Sequence, residues 1–342
     1  MATGMAAVIG ETLMDVIRRP GEPASEHPGG SPLNVAVGLG RLGHPSMLVT
    51  WMAEDDHGQV IKQHLDESGV TLAPGATQAE RTSTANIVMH EDGKLDYSFD
   101  LLWALPPMPE DFQPLVVHAA SLGAIHQPGA DDVFALISRS REHATITYDP
   151  NIRPDIMKSP ERVRPLVERL VNAADVTKVS AEDLEWLYPD RNPESVAAEW
   201  ANGGSLVVLT KGERGSATFR MVDGARRCLR VLPGYCSSFV DAVGAGDSFM
   251  SGLIHALWEH GLLGADKRPQ LAAIDDETLL DSLCMASTIA AITVSRLGAD
   301  PPWLCDLGDH RAVAGLDPES VPAIQIPPDL FSVGSRANAG SV

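Results

Sequence analysis

The chain has 342 residues, 44% of them hydrophobic and 21% charged, a composition that supports a packed core and excludes fibrous, collagen-like and largely disordered architectures. Lys and Arg number 26 against 46 Asp and Glu, a net charge of −20. That balance excludes a continuous basic footprint for nucleic acid, so any bound phosphate must be held by local features. Cys228, Cys236, Cys284 and Cys305 are widely spaced and form no C-x-x-C pair; they read as ordinary buried thiols of a reduced, cytoplasmic protein. The N-terminal stretch has no basic region, and Gly10, Glu11 and Asp15 interrupt its apolar run, so neither secretion nor membrane anchoring is signalled.

In chain order, short apolar runs at Ala6–Ile9, Met47–Trp51, Leu115–Leu122, Thr145–Tyr148, Val176–Val179 and Leu206–Thr210 read as strands. Several are continuous rather than alternating, which predicts a parallel sheet buried on both faces. Helical spacing occupies segments near 32–43, 57–68, 131–142, 160–172, 181–188 and 194–202, then Asp247 to about His260 and Leu279–Arg296. Strand-then-helix repetition predicts a doubly wound α/β fold. Two pieces break the rhythm: residues 11–31, and residues 81–102, where strand-like runs flank the turn Glu91–Asp92–Gly93. A hairpin inserted in an α/β chain reads as a small β-sheet lid or an edge decoration. One domain is expected over 1–326, with a loose Pro-, Gly- and Ser-rich tail over 327–342.

Gly38, Gly40 and Gly43 spell G-L-G-R-L-G, the dinucleotide-binding string, but they close a helix instead of opening one. Gly43 reads as the residue that ends that helix, and the nicotinamide reading is rejected. Asp241-Ala-Val-Gly-Ala-Gly-Asp247 has the opposite context, since its glycines precede a strong helix. Gly244 and Gly246 can turn successive amides toward one point at the positive end of a helix, a nest for an anion. Asp247 at that helix start serves either as a general base beside the anion or as a helix cap. The eleven histidines contain no H-E-x-x-H, so no zinc site is expected from spacing.

Two separated motifs in this order, Gly29-Gly30-Ser31-Pro32-Leu33-Asn34 and the Asp241–Asp247 segment, resemble the signatures of the PfkB, or ribokinase-like, carbohydrate kinases. Bacterial fructokinases are the branch the chain resembles most. The resemblance covers residues 5–304 and extends to Gly10-Glu11 with Asp15, Ser121–Ile125, Asp149-Pro-Asn-Ile-Arg-Pro154 and Lys178–Leu184. It implies a ribokinase-like doubly wound sheet with lid segments at about 11–31 and 81–102, a homodimer, and a sugar and ATP as small-molecule partners. By the same resemblance Asp247 is the catalytic base, the backbone at Gly244, Ala245 and Gly246 forms the anion hole, and Asp15, Gly30 and Asn34 contact the sugar. Asn151 and Arg153, after a strand end, face sugar or phosphate or else a plain turn.

Lys178, Thr210, Lys211, Gly212 and Gly215 fall in the segments that resemble the nucleotide site, and the late helix supplies an apolar wall for adenine. Ser180 and Asp183 stand where many relatives carry N-x-x-E, which organises Mg²⁺ through water; the shorter pair leaves direct ligation open. Ala242 replaces the usual Thr, so K⁺ near Asp241 is expected to matter little. The expected activity is phosphorylation of the 6-hydroxyl of D-fructose. The alternatives are a 2-keto-3-deoxygluconate kinase, for which Arg81 would be the extra cation, and a non-catalytic sugar- or nucleotide-binding regulator.

Overall fold

The computed structural model describes residues 4–90, 95–234, 236 and 238–308. The Glu91–Asp92–Gly93 turn, except its flanking strands, and the expected tail lie outside them. Among the described residues thirteen strands form two sheets: β1 (Ala6–Ile9), β2 (Leu13–Arg18), β3 (Ser25–Gly29), β4 (Ser46–Val49), β5 (Val70–Leu72), β6 (Thr84–Met89), β7 (Leu95–Asp100), β8 (Val116–Ala120), β9 (Thr145–Asp149), β10 (Val176–Ser180), β11 (Leu206–Thr210), β12 (Ser216–Val222) and β13 (Ala225–Val231). The large sheet has the order β13-β12-β11-β10-β9-β8-β1-β4-β5, and the small one β3-β2-β6-β7.

From β5 to β11 every pairing in the large sheet is parallel. Its side chains alternate between two cores: Ala7 and Ile9 of β1 enter one, Ala6 and Val8 the other. Both faces are covered by helices, which is why these strands read as unbroken apolar runs. The β12–β13 hairpin extends the sheet antiparallel. Its alternating, partly charged sequence, with Arg226, Arg227 and Arg230, did not stand out as sheet, because an edge hairpin needs only one apolar face. The run Leu115–Leu122 is strand only to Ala120; Ser121, at φ 57, turns the chain into the short helix Ser121–Ile125.

The helix Ser31–Arg41 ends as expected: Gly43 takes φ 86, and the His44 N–H donates to the Leu39 carbonyl at 3.0 Å. The two segments that interrupt the α/β rhythm meet in the small sheet, β2 pairing β6 in parallel and each carrying an antiparallel partner. One expectation is corrected: no described cysteine is fully buried, Cys305 being exposed and the other three half-buried. Cys228 and Cys284 pack at the margins of the two cores and Cys236 and Cys305 lie outside them, a depth that residue type alone does not give. Among the described residues, no helix is long and apolar enough to cross a membrane.

Candidate active site

The carboxyl ends of β1, β8, β9, β10 and β11 lie along one edge of the large sheet, and the chain after each supplies a candidate residue, as α/β sheets commonly arrange. Across from them starts the helix Ala245–Glu259, with Gly244 left-handed at φ 76 as its cap. A Cβ on Gly244 would lie 2.6 Å from that of Ala299, so backbone angle and space both require glycine. The first-turn amides of this helix have no partner within the helix and point their dipoles toward the sheet edge.

Asp247, 5% exposed, is where the site converges. Its Oδ1 accepts from the Ser31 hydroxyl at 2.6 Å and from Asn151 Nδ2 at 3.1 Å, and its Oδ2 accepts from Asn34 Nδ2 at 2.8 Å. Asn151 Nδ2 also donates to Ser31 Oγ at 2.7 Å. Three donors thereby satisfy the oxygens of one buried carboxylate. Ser31 and Asn34 reach it together because they are three apart on one helix face. Sequence reasoning quoted Ser31 within a motif but assigned it no role; that i, i+3 spacing was the available signal.

The Arg153 guanidinium donates to the Asn151 side-chain oxygen and, at 3.1 and 3.2 Å, to the carbonyls of Asn151 and Ile152. It thereby orients the Asn151 amide with its NH₂ toward Asp247. Arg153 also acts electrostatically on Asp15 and Glu11. Burial pushes the Asp15 carboxyl up to about 6, with His27 and Arg153 pulling it partly back. Burial likewise raises Glu11, whose Oε2 accepts from the Gly123 amide at 2.6 Å. Gly30, at φ 111, caps the Ser31 helix so closely against β2's approach that a Cβ there would lie 2.6 Å from the Glu11 carbonyl oxygen.

Beneath the glycine turn, Lys178 and Asp149 form an ion pair of 2.7 Å, with side chains 4% and 0% exposed. Lys178 Nζ also donates to the Gly246 carbonyl at 3.4 Å. Burial raises Asp149 to about 6, and its lysine partner opposes that shift. Ser180 and Asp183 form a capping box for the helix Ala181–Leu187. Asp183 Oδ1 accepts from the Ile152 amide at 2.8 Å and Oδ2 from the Ser180 amide at 3.1 Å, while Ser180 Oγ accepts from the Asp183 amide at 3.0 Å. Both side chains are therefore engaged by backbone.

On the far side of the glycine turn, Thr210 ends β11 and leads through Lys211 into the turn Gly212–Arg214 and Gly215. A Cβ on Gly215 would meet the Val231 carbonyl oxygen at 2.1 Å, which holds this loop against the end of β13. Lys211 Nζ donates to Glu194 Oε1 at 3.0 Å, and Arg230 donates to Oε2 at 2.7 Å, so the Lys211 charge is compensated within the protein. The Val240 amide donates to the Val294 carbonyl at 2.8 Å, and Asp241 accepts from the Val243 and Gly298 amides at 3.0 Å each. These bonds join two segments carrying exposed Phe239, Val240, Val243 and Leu297. An apolar seat beside a left-handed glycine turn suits a planar heterocycle bearing phosphates.

The chain is similar in fold to the fructokinase of Xylella fastidiosa with bound ATP, with a TM-score of 0.73 and 22% identity over 90% of this chain and 99% of that one. It is also similar to a double-mutant fructokinase of Vibrio cholerae O395 in a fructose-, ADP- and potassium-bound form, at TM-score 0.65 and 24% identity, covering 86% and 94% of the two chains. A nine-strand sheet flanked by helices with a separate small four-strand sheet is the ribokinase-like fold. The description "pfkB family carbohydrate kinase" matches residues 4–304, and a fructokinase of Rhizobium leguminosarum bv. trifolii is 32% identical over 290 residues, 80% of this chain and 85% of that protein. The chain belongs to the pfkB family of carbohydrate kinases; it is a sugar kinase, a phosphotransferase acting on an alcohol group.

Proposed function

We propose that the protein is an ATP-dependent fructokinase, transferring the γ-phosphoryl group of ATP to the 6-hydroxyl of D-fructose. The observation that carries this reading is the convergence of Ser31, Asn34 and Asn151 on the Asp247 carboxylate at the mouth of the glycine turn. A sugar hydroxyl entering there takes the place of one donor and gives its proton to Asp247 as its oxygen attacks the γ-phosphorus. Bond formation to that oxygen and loss of ADP then complete the exchange. The amides at Gly244, Ala245 and Gly246 stabilise the phosphoryl oxygens, and Asp15, Gly30 and Asn34 hold the other sugar hydroxyls. The small sheet, carrying Asp15, closes over the sugar and excludes water as acceptor.

A neutral sugar is favoured over an acid sugar by charge. Asp15 and Asp247 are the carboxylates on the acceptor side, and a substrate carboxylate would add a further like charge. Arg81, the cation an acid sugar would need, is instead paired with Asp100 at 2.5 and 2.7 Å, both side chains being exposed. Magnesium supplies charge neutralisation on the phosphates when bound with ATP. Ser180 and Asp183 are held by backbone hydrogen bonds as a helix cap, an arrangement that suits meeting the ion through water. Adenine rests on the apolar seat at Phe239, Val243 and Leu297, beside Thr210, Lys211, Gly212 and Gly215. Ala242 offers no hydroxyl, so K⁺ is expected to have little effect.

The test is coupled ADP release with Mg·ATP on fructose, 2-keto-3-deoxygluconate, ribose and adenosine, with and without K⁺. Fructose is expected to give the highest kcat/KM; a higher value on 2-keto-3-deoxygluconate would transfer the assignment to that acid sugar. Absence of turnover on all four with ATP still bound would favour a binding protein. We also take the protein to be a cytoplasmic homodimer joined through its lid sheets, which light scattering at two chain masses would support and a single chain mass would refute.

Asp15 permits a pH test. Its ionised form, needed to accept sugar hydroxyls, predominates above about pH 6 and is lost below it. Asp15→Asn is expected to lower kcat/KM for the sugar by about 10–150-fold at pH 8, the range for a charge-assisted hydrogen bond. The wild-type to variant ratio should then shrink as pH falls from 7 to 5. A ratio constant across that range would show that Asp15 does not contact the sugar in its charged form.

A further inference from the structure

Eleven histidines show no metal-binding spacing along the sequence, yet the fold brings two of them together far from the glycine turn. His44 lies in the turn between the Ser31–Arg41 helix and β4, and His255 on the helix that begins beside Asp247. Their facing nitrogens, His44 Nε2 and His255 Nδ1, are 2.7 Å apart, and both residues are buried. Glu259 stands one turn beyond His255 on the same helix, exposed to solvent. One donor atom from each of the three lies within 4.8 Å of the others.

We propose that His44, His255 and Glu259 bind a divalent transition cation of the zinc class. Two imidazoles and one carboxylate form the mixed nitrogen and oxygen set that such ions take, with a fourth position left for water. The i, i+4 spacing places His255 and Glu259 on one helix face. His44 is held by stacking on Trp258, with ring centroids 4.4 Å apart and planes at 24°. A ring so oriented loses little freedom when it binds an ion. In the hydrogen-bonded pair one facing nitrogen carries the proton. Coordination requires that ring to move its proton to its other nitrogen, so two neutral imidazoles bind without net proton release. Bonds of about 2.0–2.1 Å in a tetrahedron place two nitrogens about 3.3 Å apart, so the rings must separate by only about 0.6 Å. Glu259 gives the ion a solvent-side entry, and the net charge of −20 favours its approach.

The site lies about 12 Å along the helix from Asp247, eight residues at about 1.5 Å each, so it does not take part in phosphoryl transfer. An ion there would tie the distal end of the Asp247 helix to the end of the helix that carries Ser31 and Asn34. These two helices pack closely, for a Cβ on Gly38 would lie 2.4 Å from Ser251 Oγ. The cation would therefore act as a staple on the pair of helices whose near ends build the base.

The test uses the full chain, stripped by a chelator and titrated with Co²⁺ by visible absorption and with Zn²⁺ by equilibrium dialysis. One equivalent is expected to bind, without the thiolate-to-cobalt band that cysteine ligation gives, and Zn²⁺ is expected to raise the melting temperature. Glu259→Gln changes an exposed residue at a helix end and should fold normally. The proposal stands if this variant binds Co²⁺ and Zn²⁺ at least about tenfold more weakly than wild type, and fails if its affinity is unchanged or if wild type binds no equivalent. His255→Gln, provided its circular dichroism shows a folded chain, should bind neither ion; a folded His255→Gln that keeps wild-type affinity also overturns the proposal.

Discussion

Asp247→Asn is expected to lower kcat by about 10²–10⁴-fold, the range for removing a general base, with much smaller changes in the KM values for sugar and ATP. The substitution keeps shape and removes the carboxylate proposed to take the proton. It also replaces one acceptor oxygen by a donor in a cluster that already holds three donors, from Ser31, Asn34 and Asn151. A stability loss of about 1–3 kcal/mol should accompany the change, since one buried donor is left facing another. Steady-state kinetics beside a urea melt separate the two effects. A variant with kcat within tenfold of wild type would remove Asp247 from the role of base.

The largest effect on stability is expected at Lys178. Lys178→Met leaves Asp149, 0% exposed, without its cation, and unpairing a buried ion pair costs about 3–5 kcal/mol. The double variant Asp149→Asn with Lys178→Met removes both charges and should regain most of that loss. The pH dependence follows from the sign of the Asp149 shift. Burial raises its pKa above the unfolded value, so the folded state retains a proton at pH values where the unfolded chain has lost it. A group of this kind contributes stability that is present at low pH and lost as pH rises through the folded pKa. Without the lysine the neutral acid is favoured further, so the deficit of Lys178→Met should shrink between pH 7 and pH 5. Chemical denaturation across that range is the measurement. A loss below about 1 kcal/mol, or a double variant no better than the single one, would mean that water or a neighbouring group already compensates Asp149.

The same pair reaches the glycine turn through the Gly246 carbonyl. Lys178→Met should therefore also disturb the turn that positions Asp247, which distinguishes it from an ion pair remote from the site.

Much of this was legible in sequence because it rests on local rules. The parallel strands announced themselves as apolar runs since both faces are buried, and Gly43 marked a helix end because that position needs φ 86. The Asp241–Asp247 segment was readable for the same reason: a glycine at φ 76 before a strong helix has few other uses. The β12–β13 hairpin was not readable, since an exposed edge needs no continuous apolar signature. The cysteines were misjudged because depth within a fold is not encoded by residue type alone.

By itself, the sequence determined the α/β class, the parallel strands of the large sheet and the two segments that form the small sheet, because backbone propensity, burial periodicity and glycine conformations act over a few residues. The tertiary structure alone decided which side chains meet: Ser31 and Asn34 with Asp247 across more than 210 positions, Asp149 with Lys178, Asp183 with the Ile152 amide, and His44 with His255. Hydrogen bonds and ion pairs act only over a few ångströms, and no rule of local spacing reports a distance that the packing of distant helices and strands creates.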